Sequence, residues 1–147
     1  MLSRIAASYE ADPARCQDLL QEISVALWKA LPRWRGEASV RTFCARVAHN
    51  CSIDHLARNR ARYEDALDDE WVDPAPDPAR AAETSQRRRN LIEAIAGLPL
   101  GQRQVVVLSL EGFSQRETGQ ALGVDENTVA QRLSRARRQL REWLGER

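Results

Sequence analysis

No run of about 18 apolar residues occurs in the 147-residue chain, so neither a membrane-spanning helix nor a secretory signal peptide is expected, and a cytoplasmic protein is. Cysteine is scarce. Cys16, Cys44 and Cys51 are odd in number and form no C-x-x-C pair, which excludes a disulfide framework in a chain without a secretory signal and leaves three reduced thiols. Catalytic signatures are missing too: there is no G-x-S-x-G, P-loop, H-E-x-x-H or paired-carboxylate arrangement, so no enzyme and no cofactor are expected. His49, Cys51 and His55 invite a metal-site reading, and Cys44 shares a helix face with Cys51. Free cysteine is more often a small core hydrophobe, and no metal is expected. Internal repeats and low-complexity tracts are absent. The length suits one ordinary domain or two small ones.

What is present is a segregation of charge beneath a net value of +1. Residues 1–62 carry ten basic side chains against six acidic, residues 63–86 one against eight, and residues 87–147 eleven against seven. Two basic ends around an acidic middle suit a protein that binds a polyanion.

The acidic middle holds three prolines between positions 74 and 78 and no apolar period, so 63–86 reads as a linker between two domains, 1–62 and 87–147. In the first, Asp12-Pro13 is a helix start, followed by Leu19, Leu20, Ile23, Leu27 and Leu31 at helical spacing up to Pro32. A second helix is expected from Ser39 to about Arg62, with Val40, Phe43, Cys44, Val47 and Cys51 along one face. In the second domain, Leu91, Ile92, Ile95 and Leu98 predict a short helix stopped by Pro99. The valines of "QVVVLSLEG" favour a strand by propensity, but the all-helical surroundings and the Glu111-Gly112 stop predict a helix over 102–110. The expected fold class is all-α, with two small helical domains.

The strongest local pattern follows. Ser114-Gln115-Arg116-Glu117 is a capping box, Gly123 a stop, and Asp125 a cap for the last helix, together a helix-turn-helix. On the second helix Val129, Leu133, Ala136, Leu140, Trp143 and Leu144 form a stripe for the core. Asn127, Gln131, Ser134, Arg135 and Arg138 fall opposite, where amide and guanidinium groups suit base edges, while Arg132 and Arg137 flank the stripe within reach of phosphates. Arg138 and Arg141 are equally well explained as solvated cations near a helix C-terminus.

These features resemble the extracytoplasmic-function class of bacterial sigma factors over nearly the whole chain. "LPLGQRQVVVLSLEGFSQRETGQALGVDENTVAQRLSRARRQLRE" is similar to that family's region 4, and "CQDLLQEISVALWKALPRWRGEASVRTFCARVAHNCSIDHLARNRAR" to its region 2. The resemblance implies a factor that binds RNA polymerase core enzyme and directs it to promoter DNA, under the control of an anti-sigma factor and without membrane insertion. Catalysis would belong to the polymerase.

Residue by residue, the resemblance implies −35 contacts from Asn127, Gln131, Ser134 and Arg135, with Thr128 and Arg132 near phosphates. Ala130 stands where the family often has a basic residue. Trp34 to Ser39, including Arg35, match the loop that holds a flipped −10 base, Asn50 matches a residue lining that pocket, and Arg46, Asp54, His55 and Arg58 would adjoin it. Asp18, Gln21, Glu22 and Leu27 would contact polymerase core, although apolar residues at helical spacing such as Leu27 and Trp28 more often belong to the domain's own core, which leaves the polar members as the main contacts. The acidic stretch would thread polymerase's basic channel, or serve only as a soluble tether.

Two departures from the family carry expectations. Met1 to Tyr9 match only the end of a helix that family members carry. This implies a start further upstream, or a reduced member: a sigma-like DNA-binding regulator or anti-sigma-binding module without productive polymerase binding. Thr118 and Gly119 replace an apolar residue and an alanine in the first helix of the helix-turn-helix, which predicts a marginal fold there, since glycine costs about 1 kcal/mol inside a helix.

Overall fold

The computed structural model describes residues 1–64 and 83–145. Most of the stretch expected as a linker lies outside the described residues, and with it the reading of that stretch as a channel-threading segment. Among the described residues every regular element is helical: α1 (Leu2–Tyr9), α2 (Pro13–Ala30), a 3₁₀ turn (Leu31–Arg33), α3 (Val40–Glu64), α4 (Glu83–Ala96), α5 (Leu100–Leu110), α6 (Gln115–Leu122) and α7 (Glu126–Leu144). α4 starts inside the expected linker, because Glu, Gln and Arg extend a helix N-terminally without adding apolar period.

The caps follow the sequence. The Asp12 carboxylate accepts from the Arg15 amide at 2.9 Å and Pro13 occupies the first turn of α2. Ser39 Oγ accepts from the Thr42 amide at 3.1 Å and opens α3. On α2 the buried line is Leu19, Ile23 and Leu27, spaced by four, while Leu31 is exposed beyond the helix end.

α3 corrects a sequence expectation. Its buried positions are Thr42, Ala45, Ala48, Ser52 and His55, whereas Val40 is exposed and Phe43, Cys44, Val47 and Cys51 are only half-buried. A single apolar stripe presumes one packing face, but α3 packs against α1 and α2 and also against α6. Small residues occupy the close approaches and the bulkier ones spread to the flanks. Ser52 satisfies its buried hydroxyl by donating to the Ala48 carbonyl at 2.7 Å.

The two halves share a core. Ile5, Ala6, Tyr9, Leu19, Ile23, Leu27, Ala45 and Ala48 from α1–α3 cluster with Leu108, Phe113 and Ala121 from the second half. A second cluster joins Leu98, Val105, Val106, Val129, Leu133 and Ala136. α5 thus turns Leu108 to one core and Val105 and Val106 to the other, and this explains the valine run. A helix buried on both sides needs apolar residues around most of its circumference, which linear propensity mistakes for a strand. Polar fasteners cross the same seam. Arg4 pairs with the Glu111 carboxylate, Arg41 donates to the Glu111 carbonyl and lies 4.3 Å from the Phe113 ring centre, and Arg46 Nε donates to the Gln120 carbonyl at 3.0 Å. Arg103 donates to the Ser8 carbonyl at 2.7 Å, and burial lowers the Arg103 pKa.

Gly119 overturns the expectation of a weak point. A Cβ there would stand 2.7 Å from the Val124 carbonyl oxygen, so glycine lets the turn after α6 close against its own helix. Its carbonyl accepts from the amides of Gly123 and Val124. Gly119→Ala is therefore expected to lower stability by about 1–3 kcal/mol through overpacking, outweighing the ~1 kcal/mol that alanine gains in helix propensity. Urea unfolding that showed an unchanged or higher midpoint would remove this account of the turn.

Candidate nucleic-acid interface

The helix-turn-helix is α6, a turn at Gly123 and α7. Both halves of the capping box form: the Ser114 hydroxyl accepts from the Glu117 amide at 3.1 Å, and the Glu117 carboxylate accepts from the Ser114 amide at 3.0 Å. Gly123 ends α6 in the left-handed region at φ +71°, where a side chain would be strained. The Asp125 carboxylate then accepts from the Thr128 amide at 2.6 Å and starts α7. Bonds to Ser114 and to Thr128 hold the carboxyls of Glu117 and Asp125 below their ordinary pKa values.

These caps fix which way α7 faces. Val129, Leu133 and Ala136 are buried, and Leu140 and Leu144 are half-buried behind them. Trp143, expected in the core, is instead 49% exposed. It lies over Gly97, whose Cβ would sit 3.4 Å from the ring, so it covers the turn between α4 and α5 from outside. Asn127, Gln131, Ser134 and Arg135 are exposed on the opposite face. Thr128 and Arg132 are half-buried at its edges, with the Arg132 guanidinium laid across the start of α5 about 3.5 Å from the Cβ position of Gly101. All six expected −35 residues thus lie on the outward face or its border.

The expected −10 residues are less uniform. Trp34 Nε1 donates to the Ala38 carbonyl at 2.9 Å and Gly36 has φ +78°, which closes the 34–39 loop into a tight arch. A concavity of about 100 Å³ beside it is lined by Trp34, Arg35 and Arg46, among others, and by Gln120 of α6. The Ser39 hydroxyl is engaged in capping α3, while Asn50 and Asp54 are exposed further along that helix. His55 is not on this face. It is 6% exposed, its Nε2 lies 3.1 Å from the Glu10 carboxylate and 2.9 Å from the Asn59 amide, and these contacts tie α3 to the end of α1. Polar residues with buried partners defeat a surface assignment made from polarity alone. Nearby, Tyr9 and His49 are hydrogen-bonded, and burial raises the first pKa and lowers the second.

On α2, Asp18 and Gln21 are exposed, and Glu22 is half-buried with its carboxylate 2.7 Å from Arg58 Nη2. Leu27 is a correction. At 7% exposed it completes the line begun by Leu19 and Ile23, and it belongs to the interior. Its neighbour Trp28 is 78% exposed, with Val25 and Leu31 also open, an apolar strip that sequence reasoning missed. The signal was there: Val25 and Trp28 lie off the four-residue line that defines the buried side.

Residues 1–62 match the family model described as Sigma-70 region 2, and residues 88–140 that described as Sigma-70, region 4. The chain is 31% identical over 145 residues to the ECF RNA polymerase sigma factor SigM of Mycobacterium tuberculosis, covering 98% of this chain and 71% of that protein. In structure it is similar to the sigma factor RpoE from Bartonella quintana, solved in complex with the anti-sigma factor NepR, with a TM-score of 0.77 and 22% identity over 99% of this chain and 90% of that one. It is also similar to CnrH, solved in complex with the cytosolic domain of CnrY, with a TM-score of 0.67 and 26% identity over 98% of this chain and 80% of that one.

Proposed function

The chain belongs to the extracytoplasmic-function class of RNA polymerase sigma factors, and on that premise we propose that it reads the −35 element with α7 and the −10 element with the 34–39 loop and the adjoining face of α3. The observation that carries this reading is the outward face of α7. Asn127, Gln131, Ser134 and Arg135 stand together on the first turns of a helix whose entry is fixed by the α6 cap and the Gly123 turn. The N-terminal turns of such a helix are the part that enters a major groove, and amide and guanidinium groups match adenine and guanine edges there. Arg35 and Arg46, which line the concavity beside the loop, supply positive charge there, as capture of single-stranded DNA requires, while Arg58 lies further along α3 beside Glu22. Asp18, Gln21 and Glu22 are the polymerase-facing group, joined by the exposed Trp28 in place of Leu27. An anti-sigma factor is the expected protein partner, the compartment is the cytoplasm, and bond-making belongs to the polymerase.

The test is transcription in vitro with core enzyme and the full chain. Promoter-dependent transcripts that require Arg135 support the reading. Duplex binding without transcripts would replace it with a DNA-binding regulator that lacks productive polymerase binding, and neither activity would leave an interaction module for the anti-sigma factor.

A further inference from the structure

The reading face of α7 does not stop at Arg135. At 3.6 residues per turn, Arg138 stands about 20° around the helix from Gln131, and Arg141 about 20° from Ser134. Both are exposed, and neither makes an ion pair or side-chain hydrogen bond with any described residue. With Ser134, Arg137 and Glu142 they line one shallow trough on the outer side of the helix. Against three guanidinium groups the single carboxylate, Glu142, leaves an excess of two positive charges there, and it is not ion-paired to any of them among the described residues. Favourable interaction with the helix dipole accounts for Arg141, which lies in the last turn, but fades before Arg138 is reached.

Length decides what these side chains can meet. A rise of 1.5 Å per residue places Arg138 and Arg141 each about 10 Å beyond Gln131 and Ser134 along the axis. The major groove is about 12 Å wide, and the first turns of α7 already fill that width. A straight helix continuing past it arrives at the phosphodiester strand that borders the groove, not at further base edges.

We propose that Arg138 and Arg141, with Arg137 beside them, form a phosphate-binding extension of the α7 reading face that grips the DNA backbone bordering the −35 groove. This rests on the reading of α7 as the −35 reader and adds its sequence-independent part. The side chains fix register and add affinity without selecting bases.

The test is equilibrium binding of the full chain to a −35 duplex and to a scrambled duplex across a salt series. For Arg138→Gln/Arg141→Gln, the slope of log K against log salt is expected to become shallower by about 2, near 0.9 for each phosphate released. Affinity for both duplexes is expected to fall together, by roughly tenfold or more near physiological salt, with the preference between them unchanged. Arg138→Lys/Arg141→Lys is expected to keep the slope. Neutral methylphosphonate linkages at the bordering positions should weaken the natural chain and leave the glutamine variant unaffected. An unchanged slope in the glutamine variant, with base preference intact in the natural chain, overturns this inference alone. A natural chain with no preference between the duplexes overturns the −35 reading itself.

Discussion

Phe113→Ala is expected to lower the unfolding free energy of the full chain by about 3–5 kcal/mol, the usual cost of emptying a buried phenylalanine site. The ring sits in the core that joins Ile5 and Ala45 of the first half to Leu108 and Ala121 of the second, and the Arg41 guanidinium covers it. Its removal therefore leaves a cavity on the seam and strips Arg41 of an aromatic partner worth about 0.5–1 kcal/mol. Because whole domains are stable by only about 5–15 kcal/mol, the loss should also show as separation of the halves. Small-angle scattering should report a larger radius for the variant, and urea unfolding a lower midpoint. Equal radius and midpoint in the two proteins would mean that the seam does not depend on this ring. Arg41→Gln, which keeps the ring, should produce the smaller change.

The second large effect belongs to α7, the proposed reading helix. Gln131→Ala and Arg135→Ala are each expected to cost about 1–3 kcal/mol of promoter affinity, some 5- to 150-fold, and to relax the base preference at one position. Both side chains are exposed and unpaired among the described residues, so thermal melting should be unchanged and the loss can be assigned to the contact. Arg132→Ala should behave differently. From the border of the face it is expected to weaken all duplexes alike and reduce the salt slope by about 1. If the Arg135 variant binds promoter and scrambled duplex as the natural chain does, α7 is not reading bases through this face.

Elements governed by local rules were legible in the sequence. Asp12, Ser39, Ser114 and Asp125 cap the helices that their spacing predicts, and Gly123 takes the left-handed conformation that its place in the turn demands. The outward residues of α7 were equally legible, because one buried stripe on an amphipathic helix fixes the opposite face. Errors came where a helix packs on more than one side or where polar groups find partners distant in sequence. α3 buries Thr42, Ala45 and Ser52 between two layers, and His55 meets Glu10, 45 residues away. Gly119 looked like a defect because helix propensity is local, whereas the Val124 carbonyl that excludes a methyl group is supplied by the turn beyond. The joining of the halves through Leu108, Phe113 and Arg46 left no periodic trace in either half.

The Arg58–Glu22 pair has a consequence for how the two binding events communicate. One partner belongs to the proposed promoter face and the other to the proposed polymerase face, yet Nη2 and Oε2 are 2.7 Å apart. If those two proposed faces bind as assigned, core enzyme that recruited Glu22 would release Arg58 for a phosphate and DNA that recruited Arg58 would release Glu22, so the two ligands would favour each other by the same factor in either order. A solvent-exposed pair is worth at most about 1 kcal/mol, which caps this cooperativity at roughly fivefold. On that proposal the pair would tune the order of assembly and would be too weak to forbid either order.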